Sequence, residues 1–236
     1  MKRVVLTRDP AKDRELIREL KRRGLPYVSV PLVEHPPGPQ RAELPRRLEE
    51  GWRWVIVTSP TAAHVLAAAW EEAGRPPLAV AALGRGTARV LARSGLAPGF
   101  VAPEAYGRSL AETLPGGGRV LWPASVRAGS ELTQTLAARG FATVRLDVYT
   151  TRPRPLSRSE RAQLDAAAVA ALASPSAVEA WVARTASRPP AAAIGRVTGE
   201  AARAAGFEPV RWPEAPGVAG WAQAVQDLWN TKGHAP

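Results

Sequence analysis

Short segments rich in hydroxyls and glycine recur where aliphatic runs give way to helical ones: Thr7-Arg8, Thr58-Ser59, Gly84-Arg85-Gly86-Thr87, Ser125, Ser174-Pro175-Ser176 and Gly195-Arg196-Val197-Thr198. At the carboxyl ends of parallel strands, following helices present N–H groups that lack intrahelical partners, together with the positive end of the helix dipole. Small residues there let an anion reach the backbone. Ser and Thr hydroxyls can cap a helix or donate to a carboxylate, and arginine pairs with acids. Taken singly, each Ser or Thr reads as an N-cap. Their repetition at equivalent turns of two halves points to a shared anion-binding cleft.

Other chemistries are poorly supplied. The 236 residues include no cysteine, and His35, His64 and His234 are too scattered to form a metal-ligand cluster. Thiol nucleophiles, iron–sulfur clusters and thiolate zinc sites are excluded, no metal or cofactor is expected, and a reducing compartment is implied. Thirty-two Lys+Arg against 21 Asp+Glu give a net charge of +11, which favours an anionic partner. Gly84-Arg85-Gly86-Thr87-Ala88-Arg89 keeps two glycines of a dinucleotide fingerprint but has Arg89 in place of the third, and no phosphate loop occurs. Basic residues lie on mixed Arg/Glu faces such as Lys12 to Arg23 rather than in a stripe, so no nucleic-acid partner is expected.

The elements that position these turns alternate between short aliphatic runs and longer amphipathic ones, the pattern of a parallel sheet covered by helices. Val4-Val5-Leu6 reads as a first strand, Leu16, Ile17 and Leu20 as the buried face of a helix ending at Gly24, and Val28 to Val33 as a second strand. Trp54 to Val57 and Val80 to Leu83 read as further strands. Each is followed by a helix, one running through Trp70 and the other through Arg93. Trp54 and Trp181 are assigned to the core, whereas Trp52, Trp212 and Trp221 fit either core or surface. No segment is long and apolar enough to span a membrane and the opening residues lack a secretory core, so a cytoplasmic protein is expected, with residues 231–236 as a fraying tail.

The second half echoes the first. Ala82-Leu83-Gly84-Arg85-Gly86-Thr87 returns as Ala193-Ile194-Gly195-Arg196-Val197-Thr198, Thr58-Ser59-Pro60 as Ala173-Ser174-Pro175, and Arg3 to Val33 as Arg119 to Tyr149. Two related α/β lobes follow. Whether the chain divides as a tandem near Gly117 or crosses twice at the proline clusters near Pro36 and Pro153 is left open by periodicity.

In order, spacing and duplication these motifs resemble the uroporphyrinogen-III synthase family, from Leu6-Thr7-Arg8 through Trp54 to Ser59, Ala82 to Ala88 and Val148-Tyr149 to Ser174 to Val178 and Ala193 to Thr198. The resemblance implies two Rossmann- or flavodoxin-like lobes, each a parallel sheet flanked by helices, joined by a two-segment linker. The first lobe would be residues 1–34 with 154–230, the second 37–149, and the linkers 35–36 and 150–153. It implies a cofactor-independent closure of hydroxymethylbilane, a linear tetrapyrrole polycarboxylate, with loss of water and inversion of the terminal ring. Tyr149 matches a cleft-facing tyrosine of that family and is the candidate catalytic residue. Thr7, Arg8, Ser59, Gly84, Thr87, Ser125, Ser174, Ser176, Gly195 and Thr198 are the candidate substrate-binding residues. A monomer is expected, of a composition that suits heat stability. Ser130 stands where many relatives carry an arginine, with Arg127 nearby. The alternative is a non-catalytic two-lobed binding protein for a small polyanion; a glycosyltransferase or a DNA-binding regulator fits less well.

Overall fold

Val4-Val5-Leu6 lies within the first strand, β1 (Arg3–Leu6), of the computed structural model, which describes residues 2–104, 106–215 and 217–231. The chain continues through α1 (Arg14–Arg22), β2 (Tyr27–Ser29), β3 (Val33–Glu34) and the short α2 (Leu44–Arg47). Then follow β4 (Trp54–Val57), α3 (Pro60–Glu72), β5 (Val80–Ala82), α4 (Gly84–Arg93), β6 (Phe100–Val101) and α5 (Gly107–Thr113). The duplicated opening unit is β7 (Gly118–Ser125), α6 (Glu131–Ala138) and β8 (Phe141–Tyr149). After β9 (Arg152–Pro153) and α7 (Arg158–Asp165) come β10 (Ala167–Leu172), α8 (Pro175–Val182), β11 (Ala191–Ala193), α9 (Arg196–Ala204), β12 (Val210–Arg211) and α10 (Val218–Thr231).

Two parallel five-stranded sheets result, in the orders β12-β11-β10-β1-β2 and β6-β5-β4-β7-β8. The orders are the same once repeats are superposed: β1 and β2 correspond to β7 and β8, and β10 to β12 correspond to β4 to β6. The first sheet draws on both ends of the chain and the second on its middle. The chain accordingly divides between Glu34 and His35 and between Thr151 and Arg152 into two compact units. Next to those breaks β3 pairs antiparallel with β9, and Arg152 Nε lies 2.6 Å from Glu34 Oε1.

Both faces of each sheet are buried, as parallel sheets require. In the unit built from the chain ends, Val4, Leu6, Val169 and Ala171 face Leu16, Leu20, Trp221 and Val225, while Val5, Ala170 and Leu172 face Val178, Trp181 and Phe207. Alanine in β10 and β11 leaves room that Trp221 and Trp181 fill from opposite sides. The Trp221 indole donates to the Ala192 carbonyl at 2.9 Å, so a buried polar atom is satisfied. Trp221 and Trp52 therefore belong to the core, along with Trp54 and Trp181.

Three local expectations are corrected. The run from Val28 to Val33 is two short strands, because Pro31 has no N–H and the chain turns there from β1 toward β9. Gly84 to Thr87 form the first turn of α4 rather than a loop before it. Thr231 closes α10, and residues 232–236 lie outside the described residues. No described helix is long and apolar enough to cross a membrane.

Helix α7 carries a reciprocal cap. The Ser157 hydroxyl accepts from the Glu160 N–H at 3.2 Å, and Glu160 Oε2 accepts from the Ser157 N–H at 2.8 Å. That N–H, then the Arg154 guanidinium, pulls the Glu160 carboxyl down to about 2. A depressed acid stabilises the fold fully above its ordinary 4.5 and loses that contribution as pH falls toward 2. Glu160→Gln is expected to lower the melting temperature by about 1–3 °C at pH 7 and by progressively less between those pH values, as scanning calorimetry would read.

Candidate active site

Tyr149 ends β8, and its side chain is almost fully buried in the core of the middle unit. Its phenol oxygen lies 2.9 Å from the Ser59 hydroxyl, just past the carboxyl end of β4, which β7 separates from β8 in the sheet. Ser59 is the N-cap of α3 and also accepts the Ala62 N–H at 3.0 Å, so one hydroxyl holds both a helix end and the phenol. The His35 ring meets the Tyr149 ring edge-on with centroids 5.9 Å apart, and His35 Nδ1 lies 3.0 Å from the Thr151 hydroxyl. Gly38 presses against the same strand end: a Cβ there would fall 2.2 Å from the Asp147 carbonyl oxygen and 2.7 Å from the Tyr149 nitrogen.

The four corresponding helix starts divide by chemistry. Ser174 caps α8 as Ser59 caps α3, accepting from Ala177 N–H at 3.2 Å, and its hydroxyl lies 2.9 Å from that of Ser176. Helices α4 and α9 begin at Leu83 and Gly195 with no side chain capping them, which leaves the first-turn N–H groups without a protein acceptor. Thr87 and Thr198 are buried inside those helices. With both threonines buried, what these two helix starts offer an anion is backbone amides rather than hydroxyls. Thr7 is likewise committed, donating to the Ala171 carbonyl of β10 at 2.8 Å.

Arg8 follows β1 at the same edge. Its Nε donates to Asp13 Oδ1 at 2.7 Å, its Nη2 donates to the Lys12 carbonyl at 2.7 Å, and its guanidinium lies over the Trp221 ring at 5.5 Å. Burial pushes the Asp13 carboxyl up, against the opposing pull of Arg8.

Ser125 ends β7 and accepts the Arg127 N–H at 3.2 Å. The following helix, α6, starts only at Glu131, with Ser130 as its N-cap residue, so the expected helix start at Ser125 is corrected: a five-residue loop intervenes. Arg145 holds that loop by donating to the carbonyls of Ala128, Ser125 and Val126, while Asp147 accepts from its Nε at 2.7 Å.

Sequence reasoning missed Asp13, His35, Gly38 and Arg145. Asp13 reads locally as a helix cap, and the others act through neighbours that only the tertiary fold supplies. It also missed the exposed apolar residues at these edges: Tyr106 beyond β6, Val126 beyond β7 and Val197 in the first turn of α9. Among the described residues no acidic, histidine or cysteine cluster suits a metal. A hollow of about 690 Å³ lies beside α9 and α10, lined in part by Arg203, Arg211, Trp212 and Asp227, and includes none of the candidate residues. Its arginines are engaged: Arg203 stacks on Trp212 at 4.2 Å, and Arg211 lies 4.0 Å from Asp227.

The family model described as uroporphyrinogen-III synthase HemD matches residues 14–223. The chloroplastic uroporphyrinogen-III synthase of Oryza sativa subsp. japonica is 33% identical over 249 aligned residues, covering 98% of this chain and 82% of that protein. The uroporphyrinogen-III synthase of Synechococcus elongatus is 30% identical over 165 residues, covering 64% of this chain and 61% of that one. Among solved structures, a mutant uroporphyrinogen III synthase of the extremely thermophilic bacterium Thermus thermophilus superposes with a TM-score of 0.68 at 21% identity, covering 98% of this chain and 100% of that one. Uroporphyrinogen-III synthetase of Helicobacter pylori gives 0.66 at 19%, covering 97% and 100%; these two likenesses concern the fold.

Proposed function

The chain belongs to the uroporphyrinogen-III synthase family, and from that membership we propose that it acts as a cofactor-independent hydro-lyase on hydroxymethylbilane. The C–O bond of the hydroxymethyl group breaks and water leaves, carrying a proton delivered to its oxygen. The resulting azafulvene carbon bonds to the substituted α-carbon of the terminal pyrrole, and the spiro intermediate rearranges so that this ring is inverted in the product.

The observation that carries this reading is the recurrence of an uncapped helix start, α4 and α9, at the same strand position of each unit. Each such start offers open backbone N–H groups to an anion, which suits a polycarboxylate substrate, and the +11 charge aids capture. Gly84, Thr87, Gly195 and Thr198 contribute through backbone amides, Ser125, Ser174 and Ser176 line the same edges, and Thr7 positions Arg8. Tyr106, Val126 and Val197 offer apolar surface to pyrrole faces. Tyr149, held by Ser59, hydrogen-bonds the departing hydroxyl. Because the substrate cyclises unaided to the uninverted isomer, the protein's main contribution is to impose a conformation and to screen developing positive charge.

Isomer analysis tests the proposal. Incubation of the purified chain with hydroxymethylbilane is expected to give the inverted isomer well above the spontaneous background. A product consisting only of the uninverted isomer would favour a non-catalytic binder.

A further inference from the structure

We infer that Asp13 is a positioning residue which sets the Arg8 guanidinium to receive a substrate carboxylate at the carboxyl end of β1. The inference rests on the reading of this chain as an enzyme of a polycarboxylate. Asp13 immediately precedes α1, where an aspartate ordinarily caps the helix with its side chain. Here it makes no such bond. Its fully buried carboxylate turns to Arg8 instead, with Oδ1 2.7 Å from Nε and 2.6 Å from Nη2. Nη2 also donates to the Lys12 carbonyl, and Trp221 lies under the guanidinium.

For stability alone the arrangement is poor. An ion pair taken out of water recovers little against an apolar replacement, and Asp13 Oδ2 is buried with no hydrogen-bond partner. The same features suit a device for orientation. Nε, Nη2 and the ring face are all fixed from the protein side, while among the described residues no acceptor takes Nη1. Arg8 remains about a quarter exposed. A guanidinium so held presents its remaining donors in one direction, and less conformational freedom is lost when a carboxylate arrives. The backbone beneath it is pinned as well, since Thr7 donates to Ala171 and its carbonyl accepts from the Leu32 N–H.

The test uses the full-length chain and the variants Asp13→Asn, Arg8→Gln and the double substitution. Steady-state kinetics with hydroxymethylbilane, equilibrium binding of uroporphyrinogen III and melting temperature are measured on each. Asp13→Asn and Arg8→Gln are each expected to raise KM about five- to tenfold and to weaken product binding to match, with kcat within about twofold. The double variant should be no worse than Arg8→Gln, because Asp13 acts only through the guanidinium. A KM for Asp13→Asn within twofold of wild type, or a loss that multiplies onto that of Arg8→Gln, overturns the inference. Should Asp13→Asn not fold, Asp13→Glu keeps the charge but displaces it by one methylene; a raised KM at unchanged kcat supports positioning, and an unchanged KM refutes it. A wild-type chain that yields no inverted isomer would refute the functional reading instead, while product binding by the variants would still decide the role of Asp13.

Discussion

Tyr149→Phe should lower kcat for formation of the inverted isomer by about 5- to 20-fold while leaving KM within about twofold. Proton donation by a positioned side chain is ordinarily worth more, roughly a hundredfold upward, but the hydroxymethyl group is already prone to leave, so the phenol has less to supply. The substitution removes one oxygen, the one 2.9 Å from the Ser59 hydroxyl, and keeps the ring packed in the core of the middle unit. The fold should therefore lose no more than about 1 kcal/mol, the net worth of one neutral hydrogen bond. Ser59→Ala separates the two duties of the pair. It strips the α3 cap, at a cost of about 1 kcal/mol, yet leaves the phenol in place, so its effect on kcat should be the smaller. A kcat unchanged in Tyr149→Phe would remove the tyrosine from the chemistry.

Gly38→Ala is expected to cost about 2–3 kcal/mol through overpacking, seen as a fall in melting temperature of roughly 5–10 °C for a chain of this size. Residues 37–40 lie flat along the end of β8: Gly38 N–H donates to the Val148 carbonyl at 3.0 Å, and Gln40 N–H donates to that of Asp147 at 3.1 Å. The Gln40 side chain closes the contact by accepting from Asp147 N–H at 3.0 Å. An added methyl would meet the Asp147 carbonyl and the Tyr149 nitrogen of the strand backbone, with no flexible side chain able to yield. The strand end must shift, and Tyr149 shifts with it, so kcat should fall together with stability. Gly129→Ala, where nothing lies within 4 Å of the added carbon, serves as the control and should melt with wild type.

Much of the architecture was legible because burial imposes a period. The aliphatic runs of β1, β4 and β5 and the Leu16–Leu20 face of α1 announce a parallel sheet with covered faces, and the repeated Gly-Arg and Ser-Pro turns announce its duplication. The places where reading failed have two causes, one local and one tertiary. Pro31 divides a run that looks like one strand by hydrophobicity alone. The loop between β7 and α6 is closed by Arg145, a residue distant in sequence whose side chain takes up its carbonyls.

The candidate site was legible in part. Residue types at the turns flagged the carboxyl ends of the strands, but type alone does not reveal which polar groups are already engaged. Ser59 and Ser174 are caps, Thr7 bonds to β10, and Thr87 and Thr198 are buried, whereas the backbone amides that remain open carry no sequence signature beyond the glycines beside them. Asp13 is the sharpest case, since its position says cap and its side chain does something else.

Titration of isotope-labelled protein with uroporphyrinogen III, followed through backbone amide chemical shifts, tests most directly whether bare helix ends grip the carboxylates. Signals of Arg85, Gly86, Val197 and Thr198 should move first and furthest, with those of the capped Ala62 and Ala177 moving less. Saturable binding that leaves the α4 and α9 signals in place, and instead perturbs the amino ends of the strands or the hollow beside Arg203 and Trp212, would contradict the account.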